Sequence, residues 1–190
     1  MHRIVVRAPA GLIKVFGSDE AVGIVGTHAT RGLGARGPAK VHLDMDGVMH
    51  IDVPCVQMLP CSVDLSLVVA ASTEVVLDVG SGAVQVEGLD RADIQLDRGT
   101  VAAGVVSDLV VRIGQGSLEA STLADSHVQA VVAHGDVDLS VPPGPWQVDA
   151  AAARLQLSGV SADQRATGQL FVHAPSGAVR IVGSDALASR

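Results

Sequence analysis

The chain has 190 residues and a formal net charge of −7; its hydrophobic share is 48%, but aromatics make up only 2%. A single domain of this size can bury a sizeable core, and the acidic balance argues against nucleic-acid backbones as partners. Phe16, Trp146 and Phe171 are the whole aromatic complement, which argues against sugar platforms and single-strand grooves built from exposed rings.

Met1-His2-Arg3 runs straight into Ile4-Val5-Val6, without the apolar h-region of a signal peptide. No stretch stays apolar for the roughly 18 residues a membrane-spanning helix needs. These features predict a cytoplasmic protein with no direct membrane insertion. The segment Val6–Asp19 has a near copy at Val172–Asp185, with seven of fourteen positions identical. Val22 to Val25 reads as a strand. Arg31 to Ala39 is glycine-rich and basic and reads as a loop. Val41 to Val53 alternates around Asp46-Gly47, a two-residue hairpin signal, and Pro54 to Pro60 breaks the strand. Cys55 and Cys61 fall in that break. With no leader they are expected to be free thiols, and zinc would need more ligands at tighter spacing.

Val63, Leu65 and Leu67 resume the alternation and lead into five repeats between Thr73 and Val160. Gly82, Gly99, Gly116 and Gly135 anchor four of them, and Ala153 stands in for the fifth, at spacings of 17, 17, 19 and 18 residues. Apolar residues stand five and three places before each anchor (Leu77 and Val79, Ile94 and Leu96, Val111 and Ile113). They stand again two and four places after it (Val84 and Val86, Val101 and Ala103, Leu118 and Ala120). A period of two marks a strand with one buried face. Such a unit cannot bury its own apolar row, but stacking Val84 over Val101 over Leu118 makes the row a core. The anchor glycines fit corners that need positive φ or close backbone approach, and Ala153 predicts a fifth corner of different shape. Val141 to Trp146 reads as a rigid proline-rich insertion, Ser161 to Gly168 as a polar loop. The expected fold is all-β: a single β-solenoid with coils of about 17–19 residues. Residues 1–72 form irregular strands and a hairpin, 73–185 the repeat coils and 186–190 a frayed tail. The alternative is an antiparallel β-sandwich, which regularly spaced short strands also suit.

The pattern apolar-x-apolar-x-x-Gly-x-apolar-x-apolar-x-Gly from Leu77 to Gly88, and the lead-in Val63-Asp64-Leu65-Ser66-Leu67-Val68-Val69, resemble the bacterial putative-adhesin family of unknown function. The resemblance implies a β-solenoid-like fold and no established activity, so no functional residue is carried over from it. A weaker resemblance is to bactofilins, β-helical proteins that polymerise end to end.

Two clusters invite a metal reading. His42, Asp44 and Asp46 alternate along one strand, as do His134, Asp136 and Asp138. Residues two apart on a strand are ~7 Å apart, too wide for one coordination shell without a second strand, so both sets read as solvated faces. Asp78, Gln95, Arg112 and Asp149 form a mixed outward row suited to surface ion pairs. No serine has a nucleophile elbow, and no glycine loop precedes a phosphate-binding helix. Trp146, beside prolines, is expected to pack over an end or edge of the fold. No catalytic, metal or cofactor residue is predicted. The expected function is a non-enzymatic structural or protein-interaction module forming a homo-oligomer, since open solenoid ends must be capped or paired. The alternatives are an exported adhesin or envelope-stress module and, last, a carbohydrate-active β-helix enzyme using Asp78, Arg112 and Asp149.

Overall fold

A computed structural model of the chain describes residues 3–21, 24–34, 37–56 and 59–184. The protein is all-β, and no helix occurs among the described residues. Its strands are β1 (Arg3–Ser18), β2 (Val25–Arg31), β3 (Lys40–Leu43), β4 (Val48–Asp52), β5 (Ser62–Ala70), β6 (Glu74–Ser121), β7 (His127–His134), β8 (Val137–Val141), β9 (Gly144–Ser158), β10 (Val160–Ala162) and β11 (Gln169–Gly183). Residues 22–23 of the predicted first short strand, and the predicted tail 186–190, lie outside the described residues.

Nine of the eleven pairings between strands are parallel; only β2–β5 and β3–β4 are antiparallel. An antiparallel sandwich is not what these pairings build. The four glycine-anchored repeats lie on one another in the register their sequence predicts, while the fifth lies on β11 instead. Gly11 faces Gly82, with Ile13 on Val84 and Val15 on Val86, while further on Leu118 faces Val137 and Ala120 faces Leu139.

The order in space differs from the order in the chain. β1 pairs with β4 and β5 on one edge and with β6 on the other. β11 pairs with β7 and β8 on one edge and with β9 on the other. The two matching end segments, 6–19 and 172–185, therefore close the chain but not the stack. Each has two further strands stacked outside it. At the N-terminal side the chain leaves β1, builds β2 to β5 outside it, then crosses back over it into β6. At the C-terminal side β9 and β10 are laid down first, and β11 slips in beneath them.

The core is one continuous aliphatic cluster. The predicted inward positions are buried in the four glycine-anchored repeats but not in the fifth, and two further columns join them. Ile4, Val75, Ala92, Leu109, Val128 and Leu170, seven places before the anchors, are at most 3% exposed. Leu89 and Val106, seven places after, are buried as well. The alternation thus extends further into each unit than the glycine-centred motif alone suggests.

The anchor glycines form a single column. A Cβ on Gly82 would overlap the carbonyl oxygen of Gly11, one on Gly99 that of Gly82, one on Gly116 that of Gly99 and one on Gly135 that of Gly116. Their φ values, from 133° to 147°, are ones that residues with side chains rarely adopt. The corner at Ala153 does differ. Ala174 faces Ala152 but Ala178 faces Arg154, so β9 turns its corner with two fewer residues than β11. An even slip keeps every side chain on its own face. Leu170 still lies on Val148 and Ile181 on Leu157.

Two local expectations are corrected. The β3–β4 hairpin is not a two-residue turn. Asp44 to Gly47 form the loop, closed by the Gly47 N–H donating to the Asp44 carbonyl at 3.2 Å, with Gly47 at φ 77°. That is the longer hairpin with a left-handed glycine at its end. Cys55 and Cys61, expected to be free, form a disulfide with Cα atoms 6.0 Å apart, within ordinary bridging distance. The six-residue separation left both outcomes open. The fold decides it by docking this loop on the glycine-rich one: the Gly34 N–H donates to Pro60 and the Val56 N–H to Gly34.

Candidate functional site

The two clusters that invited a metal reading are not assembled as such. Asp44 sits at the β3–β4 loop, where its Oδ1 accepts the N–H groups of Val48 at 2.8 Å and Asp46 at 3.0 Å. Its Oδ2 lies 3.1 Å from His50 Nε2. The Val48 N–H, followed by His50, lowers the Asp44 pKa below the ordinary carboxylate value. The carboxylate is thus committed to the turn. His42 is brought instead to His50, directly opposite on β4, with ring centroids 4.8 Å apart and planes 8° from parallel. The buried Nδ1 of His50 has no hydrogen-bond partner.

In the second cluster, His134 Nδ1 lies 3.1 Å from Ser176 Oγ, and Asp136 Oδ1 accepts the Ala178 N–H at 2.7 Å. These groups tie β11 to the β7–β8 corner. No group of three or more His, Cys, Asp or Glu among the described residues is placed to hold a metal ion. Asp78, Arg112 and Asp149 do not converge either. Arg112 pairs with Asp93 at 3.1 Å, while Asp149 lies opposite Phe171 near the far end of the stack.

The outer face carries a pattern that a search for reactive clusters overlooks. Eight places before successive anchors stand Arg3, Glu74, Arg91, Asp108 and His127. The Arg3–Glu74 ion pair is 3.7 Å long and the Arg91–Asp108 pair 3.0 Å. The sign alternates from Arg3 through Glu74 and Arg91 to Asp108, so parallel stacking places opposite charges side by side. The spacing by repeat length was the available signal, because the alternation appears once the units are aligned.

The ends of the stack are unlike each other. At the N-terminal end, antiparallel β2 and β3 lie over β5 and β4. Between them opens an apolar slot of about 220 Å³ with Ile51, Leu65 and Leu67 at its floor. At the other end, β9 is covered by β10 only at Gly144–Trp146. From Gln147 to Ser158 its outer edge has no strand partner among the described residues. Leu155 and Leu157 lie on the buried residues Val179 and Ile181, yet are 48% and 41% exposed because none of the described residues covers them from outside. Trp146 plugs the corner beside this edge. It is 3% exposed, its indole N–H donates to the Pro142 carbonyl at 3.0 Å, and a Cβ on Gly168 would meet its ring. Further depressions lie around Phe171, around Arg154 and between Lys14 and His28.

No protein-family model matches the chain, and no curated protein matches it. Among solved structures, the chain is similar to a putative cell adhesion protein from Clostridium sporogenes. The identity is 12% and the TM-score 0.57, over 96% of this chain and 92% of that one. At that identity the likeness concerns the fold alone.

Proposed function

We propose that the chain is a β-solenoid acting as a non-enzymatic structural or protein-interaction module that self-associates. The observation that carries this reading is the bare outer edge of β9, with the end of the aliphatic core open beside it. An unpaired strand edge is a template for another strand, and half-exposed leucines in register with a core add apolar area to be gained on pairing. The described side chains instead serve turns, corners and ion pairs, which suits a scaffold better than a catalyst. A glycan-cleaving role for Asp78, Arg112 and Asp149 draws no support from residues so far apart.

A second reading, an exported adhesion module, is favoured by the Cys55–Cys61 bridge, because such bridges persist in oxidising compartments. The name of the Clostridium sporogenes structure points the same way. The cytoplasmic alternative is the less comfortable one for a bridged pair. Fractionating the native cells and trapping thiols before lysis separates the two: a bridged protein outside the cytoplasm supports export, and reduced cytoplasmic protein overturns it. For self-association, the purified protein is imaged by negative-stain microscopy over a concentration series. Discrete oligomers or filaments are expected to support it, whereas single-chain particles at every concentration would end it.

A further inference from the structure

We propose that the chain closes into a two-fold dimer through the outer edge of β9, a second copy supplying the covering strand. The proposal rests on the self-associating reading above and names its surface and symmetry.

The uncovered stretch runs from Gln147 to Ser158, twelve residues bounded by the β10-covered Gly144–Trp146 and by the end of the strand. Its centre falls between Ala152 and Ala153, at the corner. Pairing two copies antiparallel about that centre sets Gln147 against the second copy's Ser158. Val148 then meets the second copy's Leu157, Asp149 its Gln156, Ala150 its Leu155 and Ala151 its Arg154. Val148, Ala150, Leu155 and Leu157 all lie in register with the core residues Leu170, Val172, Val179 and Ile181. Val148, Ala150, Leu155 and Leu157 therefore meet one another across the two-fold and the outward residues meet outward ones, while at the corner Ala152, which lies on the buried Ala174, meets the second copy's exposed Ala153.

This match depends on parity. Moving the pairing by one residue would put Leu155 against Asp149 or Ala151, core against solvent. The sizes also fit. One arm of β9 offers Val148 and Ala150, the other two leucines, and the two-fold brings the large arm of each copy over the small arm of the other. β10 occupies the same layer as the incoming strand and stops where that strand would begin. The edge is thus filled by the chain itself up to Trp146 and by its copy beyond.

The opposite end offers a poorer template. β2 and β3 have seven and four residues and carry His28, Arg31, Lys40 and His42. Short charged edges resist pairing. A contact that uses the same patch on both copies consumes its own edge, so growth stops at two.

The test mixes two single variants, Ala151→Cys and Arg154→Cys, both at exposed outward positions, and oxidises them. A covalent dimer is expected in the mixture and in neither variant alone. In parallel, light scattering of the wild type is expected to give twice the 19.3 kDa chain mass, and Leu155→Lys with Leu157→Lys to give the monomer. An oligomer that survives the lysine pair, or that forms no 151–154 link, overturns this interface and leaves self-association standing. A monomeric wild type overturns both. The cross-link does not depend on the lysine variant folding.

Discussion

At the scale of single residues, the backbone sets the strictest demands. Gly99 is held at φ 141° under the carbonyl of Gly82. Gly99→Ala is expected to destabilise the protein by at least about 2 kcal/mol, combining left-handed strain with displacement of the neighbouring unit. Chemical denaturation measures this, and a loss under about 0.5 kcal/mol, the range of neutral surface changes, would contradict the corner geometry. Six places after Gly82, Gly99 and Ala153 lies a second corner, where Gly88 and Gly159 both take φ 70° but Val105 takes φ 51°. A β-branched residue is strained there. Val105→Asn should raise stability by about 1 kcal/mol, seen as a rise in melting temperature of roughly 2–4 °C. Asp44 adds a pH dependence. Its carboxylate is depressed in the folded chain, so its support for the β3–β4 loop is present above the ordinary carboxylate range and lost as pH falls through the folded value. Protection of the Val48 amide, its exchange compared with an unstructured chain at the same pH, should therefore fall on acidification in the wild type and be already low, and unchanged by that acidification, in Asp44→Ala. The anchor glycines were legible in the sequence because their spacing repeats. The strained Val105 was not, since a valine in an alternating run looks like any other strand residue. Nor was the His42–His50 stack, which joins residues on two strands.

At the scale of elements, the stack is held in register by apolar columns inside and alternating charges outside. Arg91 lies between the column positions of Glu74 and Asp108. Arg91→Glu would place three acidic groups in line, at a cost of around 1 kcal/mol at low salt that shrinks as salt is added. A cost unchanged between low and high salt would show that packing, not charge, sets it. The Cys55–Cys61 bridge acts at the N-terminal end. Closing so short a loop stabilises by about 2 kcal/mol in the chain-entropy account. Replacing both cysteines by serine should lower stability by about that much, with faster exchange confined to β4, β5 and the loop between. The repeating units and their inward rows could be read from the period of two, while the bridge and the longer hairpin loop could not. Each depends on a neighbouring segment that the local sequence does not specify.

At the scale of the whole molecule, the order of the stack is the least legible feature. The matching segments at the two chain ends invite the idea that they cap the fold, yet further strands lie outside each. Parallel pairing explains how this happens. A coil that presents two equivalent edges accepts a neighbour on either one, and the chain fills one edge before returning to the other. The consequence is an asymmetric stack, with short strands over one end and, among the described residues, a long uncovered edge at the other. The proposed self-association follows from that asymmetry, since the β9 edge that no described strand covers is a template for another strand. The most direct measurement is the native mass of the purified wild-type chain by light scattering across a wide concentration range. A mass of two chains that stays constant as concentration rises is the expected result. A mass of one chain throughout, or one that grows without limit, would contradict it.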